Sequence, residues 1–167
     1  MNNKSNQVKY GLIAKTYHWG FVVLFVYGIF KQVQDIEQLG DNSLLRFELI
    51  FALIFIALLT IRFFYMKKTQ QSSLPEDTPK IQKMAARIVH NSMYICLFLV
   101  PITGIFVGLF FAMGLENGFL IDAFVGLHEF SIQAICWLIG IHISAAIFHR
   151  IRKDGVWSSM VPFVKEK

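Results

Sequence analysis

A chain of 167 residues that is 55% hydrophobic and only 16% charged, with mean hydropathy +0.52, is too apolar for a water-soluble domain and excludes a disordered one. Its seventeen Phe exceed what one small core can bury, whereas lipid accepts apolar side chains on the outside of a bundle. A net charge of +5 raises nucleic acid or an anionic membrane surface as a partner, and the placement of the basic residues decides between them.

Four stretches are long and apolar enough for a helix crossing a hydrocarbon core of about 30 Å, which takes about 20 residues. The first is residues 10–30, preceded by Lys4 and Lys9 and carrying Lys15 and His18-Trp19 near its start. It is too long for a signal-peptide core and is followed by Lys31-Gln32-Val33-Gln34, not a small-residue cleavage site, so it stays as a span. An acidic connection with Asp35, Glu37 and Asp41 leads to the second stretch, 44–66, which bears Glu48 at one end and Arg62 at the other. Residues 67–91 read as one long polar segment containing Lys67, Lys68, Lys80, Lys83 and Arg87, with a linker turn around Pro75 in 72–77. The third stretch, 92–115, follows His90 and includes Cys96, Pro101, Gly104, Gly108 and Met113. The fourth, 125–148, holds His128, Cys136, Trp137 and His142, with His149 and Arg150 just beyond.

Fourteen of the sixteen basic residues fall before the first stretch or near its start, around the 67–91 segment, or after the fourth; Lys31 and Arg46 are the exceptions. Seven acids, Asp35, Glu37, Asp41, Glu48, Glu116, Asp122 and Glu129, occupy the other side. By the positive-inside rule both termini and the 67–91 segment are cytoplasmic. The expected fold is therefore all-α, an up-down-up-down transmembrane four-helix bundle forming a single integral membrane domain over 1–167. The positive charge is topological, so nucleic acid drops out. Both cysteines lie inside spans and no C-x-x-C-H occurs, so no disulfide framework, zinc site or covalent haem attachment is indicated.

All five histidines lie within a span or within a turn of one, where ionisable groups are costly and mark function by default. His128 and His142 are 14 residues apart, which on an α-helix returns to within about 40° of one face and rises about 21 Å. His149, seven residues further, is within about 20° of that face. A bilayer of about 30 Å accommodates two stacked cofactor layers at that separation. Haem iron bound by two imidazoles needs histidines from two facing helices at one depth, and His18 shares the cytoplasmic level of His142. At the outer level His128 has no histidine partner. Glu48 is the polar group there, as a weak ligand, a hydrogen-bond partner of His128, a proton-handling group or an interfacial carboxylate. Met113 is a further candidate ligand or a packing residue. Arg62 and Arg150 sit where guanidinium pairs with haem propionates or snorkels to the interface. Trp19 and Trp157 suit an interface belt, and Trp137 reads as packing in the bundle or beside a porphyrin. Pro101, Gly104 and Gly108 permit a kink and close helix packing.

Over nearly its whole length the chain resembles the bacterial cytochrome b561 family of four-span di-haem membrane proteins. The resemblance rests on Tyr17-His18-Trp19, on His90 followed by Tyr94, Pro101 and Gly104, and above all on His128-Glu129, His142, His149 and Arg152-Lys153-Asp154-Gly155 with Met160 and Pro162. It implies a cytoplasmic-side haem b between His18 and His142. It also implies an outer haem between a span-two histidine and His128, and Glu48 stands where that span-two histidine is expected. The count is one haem or two, with the outer site degenerate or differently ligated. His90 and His149 match positions outside the axial pairs, as candidates for quinone binding, propionate contact or proton delivery. The family passes electrons between the quinone pool and a partner protein, and some members oxidise superoxide with ubiquinone as acceptor.

The leading expectation is a b-type cytochrome of the bacterial inner membrane that moves single electrons through non-covalent haem. An alternative is the haem-bearing anchor subunit of a larger oxidoreductase, such as a hydrogenase-type cytochrome b. A third is a haem-free membrane protein with histidines as proton carriers.

Overall fold

The computed structural model describes residues 10–31, 33, 36–69 and 74–163. Helix α1 spans Leu12–Lys31, a short 3-10 helix covers Ile36–Gly40, and α2 spans Asn42–Thr69. The chain continues through α3, Lys80–Ala112, and α4, Phe119–Arg152, and ends with the short α5, Val156–Met160. Four of these helices are long and apolar enough to cross a membrane. Lipid offers no water to backbone N–H and C=O groups, so an apolar run of this length satisfies them within its own helix.

The helix starts and stops have local causes. The Asp41 carboxylate accepts from the Ser43 backbone N–H at 2.8 Å and its hydroxyl at 2.6 Å, securing the first turn of α2. The link between α3 and α4 uses Gly114 at φ 79° and Gly118 at φ 117°, left-handed values that glycine adopts without strain. Beyond α4, Lys153 at φ 55° and Gly155 at φ 84° reverse the chain into α5.

At 28, 33 and 34 residues, α2, α3 and α4 are about 42, 50 and 51 Å long, well beyond a hydrocarbon core of about 30 Å. The polar segment 67–91 is accordingly helical at both of its ends. Helix α2 continues to Thr69, and α3 starts at Lys80, twelve residues before the apolar run, and stops at Ala112. Hydropathy marks where a chain leaves hydrocarbon; a helix continues beyond that point while its polar side chains reach water. Of the proposed linker turn, Ser72 and Ser73 lie outside the described residues.

Helix α3 packs most extensively against α4 and next against α2, whereas α1 meets the bundle sparsely, chiefly through α2. Gly108 makes the α2–α3 approach close: a Cβ there would stand 3.1 Å from Leu45 Cδ1 and 3.3 Å from Leu49 Cδ2. Buried Thr103 and Ser131 return their hydroxyls to carbonyls four residues back, Leu99 and Leu127, each at 2.7 Å. Phe21, Phe55 and Leu59 form the buried centre, with Tyr17, Phe51 and Tyr94 against it. Trp137 is 78% exposed on the outside of α4, so it neither packs in the bundle nor lines a cofactor site. Helical spacing places it five residues from His142 and therefore on the opposite face, about 140° away.

The C-terminal segment folds back on α1. Trp19 Nε1 donates to the Met160 carbonyl at 3.3 Å, Lys15 Nζ donates to that of Ser158 at 3.5 Å, and the Trp19 and Phe163 rings meet edge to face at 6.2 Å.

Candidate functional site

The starts of α1 and α3 and the ends of α2 and α4 gather at the end of the bundle that carries both ends of the described chain. There the His18 and His142 ring centroids are 6.3 Å apart. Two imidazoles sharing one metal at about 2.0 Å per bond, each centroid about 1.1 Å behind its nitrogen, are about 6.2 Å apart. The spacing suits a shared iron. His90 lies edge-on to His142 at 5.1 Å, and its Nδ1–H donates to the Ala86 carbonyl at 2.6 Å, which leaves its Nε2 as an acceptor. Arg62 reaches in from α2, its guanidinium over the Phe21 ring at 5.4 Å and the Tyr94 ring at 5.2 Å. Its Nε is buried and has no hydrogen-bond partner among the described residues. A buried cation with an unmatched donor is a place for an anionic group.

At the opposite end, the four long helices line a cavity of about 520 Å³ that is partly open to the outside, within the roughly 300–1,000 Å³ usual for cofactor pockets. Gly28, Glu48, Phe55, Gly104, His128 and Ile132 are among its walls. His128 Nδ1 is 2.9 Å from the Val100 carbonyl and 3.0 Å from Thr103 Oγ1. A carbonyl only accepts, so Nδ1–H donates to Val100 and the Nε2 lone pair is left for a ligand. Such fixing of the second nitrogen is characteristic of metal-binding imidazoles. Gly104 makes room for the ring: a Cβ there would be 3.3 Å from His128 Cε1. Glu48 Oε1 is buried without a hydrogen-bond partner among the described residues. The two ends are joined by aromatic packing, since Phe55 lines the cavity, touches Phe21 at 5.5 Å, and Phe21 lies under Arg62.

Other candidates fall elsewhere. Met113 caps α3 with 65% of its surface exposed and is not among the cavity walls, because α3 stops at Ala112 and turns the side chain outward. His149 donates from Nδ1 to Asp154 Oδ2 at 2.6 Å, within the turn that leads to α5. The Arg150 guanidinium lies over the Trp157 ring at 4.8 Å. Sequence reasoning missed the folded-back C-terminus and Asp154 as the partner of His149. The turn-forming Lys153-Asp154-Gly155 was the signal that could have shown them.

Residues 9–163 match the prokaryotic cytochrome b561 family. The chain belongs to that family. No curated protein and no solved structure matches it. It is accordingly a multi-pass bacterial membrane protein, a b-type cytochrome of electron transfer, and haem b is its cofactor. The residues fit such a group. Among the described residues no set of three or more His, Cys, Asp or Glu is arranged for a bare ion, but a porphyrin brings four nitrogens and asks only for axial side chains. The paired imidazoles at one end and the cavity with a prepared imidazole at the other are consistent with that demand, and the unmatched Arg62 Nε is a donor for the group's anionic edge.

Proposed function

We propose that the chain carries single electrons across the bacterial inner membrane between the quinone pool and a redox partner, through haem held non-covalently at two levels. His18 and His142 would hold the haem on the cytoplasmic side, and His128 would hold the one on the outer side. The observation that carries this reading is the 6.3 Å spacing of the His18 and His142 rings. When bound, haem supplies the one-electron chemistry, with its potential set by ligand type, burial and hydrogen bonding.

The chain's own residues supply the rest. Arg62 offers its guanidinium to the anionic edge of the cofactor, and the aromatic rings around Phe21 and Phe55 keep the interior dry between the two levels. His90 presents Nε2 as an acceptor for a quinol hydroxyl beside His142. The C-terminal segment, held to Trp19 and Lys15, closes the cytoplasmic end next to His18. We assign ubiquinone as acceptor at this end and superoxide as an outer donor. Two superoxide ions and two protons then balance one ubiquinone to give one ubiquinol and two dioxygen.

The test is pyridine haemochrome stoichiometry and visible spectra of the purified protein. His18→Ala and His142→Ala should each abolish the same low-spin haem signal, and His128→Ala should spare it. A protein without a Soret band, or one whose low-spin signal survives both substitutions, would overturn the reading.

A further inference from the structure

The two ends of the bundle offer an iron different donors. The His18 end has imidazoles on two helices. The His128 end has one imidazole, fixed by Val100 and Thr103 and seated against Gly104. Across the cavity the described walls hold no second histidine, no cysteine and no methionine; Glu48 on α2 is the facing group, while Glu129 neighbours His128 on α4 and is exposed. A carboxylate is a hard oxygen donor and is not among the usual axial ligands of haem iron, which are imidazole, thioether, thiolate or phenolate. The remaining lining is apolar, so no hydrogen bond among the described residues holds Glu48 Oε1 in a ligating position.

Glu48 also stands at a second opening. A cleft of about 250 Å³ is lined by Tyr27, Lys31, Leu44, Phe47 and Glu48, at the end of α1 and the start of α2. Glu48 is the residue that this cleft and the main cavity share. Glu48 therefore borders both the bundle's rim and the space facing His128. Polarity and steric access on the open side of a haem decide whether it binds small ligands or only passes electrons.

We propose that a haem held by His128 would have room in the cavity on the Glu48 side to take a small uncharged diatomic ligand, whereas the His18–His142 site, with two imidazoles to hold the group, is closed to such ligands. This rests on the haem reading above, and carbon monoxide is the probe. In the dithionite-reduced, haem-loaded protein, carbon monoxide should shift the Soret band of one haem of the two, and the oxidised protein should show a high-spin signal beside the low-spin one. Glu48→His should keep both haems, convert the high-spin signal to low-spin and lose the carbon monoxide shift. Glu48→Ala should keep the shift, and added imidazole should remove it, which carries the test if the histidine variant does not accumulate.

Two haems with no carbon monoxide shift would overturn the inference and leave the electron-transfer reading intact. So would a shift that persists in Glu48→His or one that Glu48→Ala abolishes. A single haem per chain, lost in His18→Ala, would remove the outer site and this inference with it. Absence of haem altogether would instead overturn the reading beneath.

Discussion

Gly104→Ala places one methyl group against the imidazole of His128 and so tests how that ring is held. The added Cβ would lie 3.3 Å from Cε1 and 3.6 Å from Nδ1, while ordinary carbon contacts begin at about 3.5 Å, so the ring must give by about 0.2 Å or more. It is not at liberty to do so at no cost, because Nδ1 is bonded to the Val100 carbonyl at 2.9 Å. Disturbing a partner of this kind costs about 10- to 100-fold in metal affinity. The helix itself should gain, since alanine is favoured over glycine in a helix interior by up to about 1 kcal/mol. The two effects have opposite signs, which separates a cofactor effect from general damage. We expect the haem at His128 to be lost to a haem acceptor about ten times faster, with the His18–His142 spectrum unchanged and the thermal midpoint of the protein equal or higher. Gly126→Ala is the control, since a Cβ there meets nothing within 4 Å. Haem transfer kinetics followed in the Soret region read the result. Wild-type retention in Gly104→Ala, or selective loss of the other haem, would refute the argument.

Three further outcomes follow from other parts of the structure. The Ser43 hydroxyl and backbone N–H, with the Leu44 N–H, hold the exposed Asp41 carboxyl below its ordinary range. A depressed folded-state pKa means support for the start of α2 that is present above about pH 4 and disappears as pH falls through the lowered value. Hydrogen exchange at Ser43 and Leu44, corrected for intrinsic rates, should therefore accelerate in acid, and Asp41→Asn should flatten that dependence while keeping the cap; an acid response that survives the substitution would contradict it. Trp19→Phe removes the donor to Met160 and should loosen residues 156–160 by about 1 kcal/mol, roughly fivefold in opening, seen as faster exchange or proteolysis there. Trp137→Ala should leave both haem spectra unchanged because the ring faces outward; a shift in either would place it back in the interior.

The apolar runs and the one-sided basic residues were sufficient for the four spans, because lipid permits few ways to satisfy a backbone and one helix per run is the simplest. His18, His90, His128, His142 and Glu48 stood out for the same reason: an ionisable group is conspicuous in hydrocarbon. The levels of His128 and His142 could also be read, since rise and turn within one helix are fixed by its geometry. Contacts between helices could not be. The approach of His90 to His142 depends on how α3 is rotated and set in depth against α4, where Gly104 lies close against His128. The outward face of Trp137, the turned-away Met113 and the return of α5 to Trp19 depend on the same kind of contact.

By itself, the sequence determined an all-helical membrane chain with histidines at two depths, because composition and periodicity act on each helix separately. Only the tertiary structure decided which imidazoles meet, that His128 is fixed through Nδ1 by α3, and that Glu48 faces it from α2 across a cavity of about 520 Å³. Those outcomes belong to the space between helices, where side-chain volume and close approach select one rotation and one register from many that the pattern of any single helix allows.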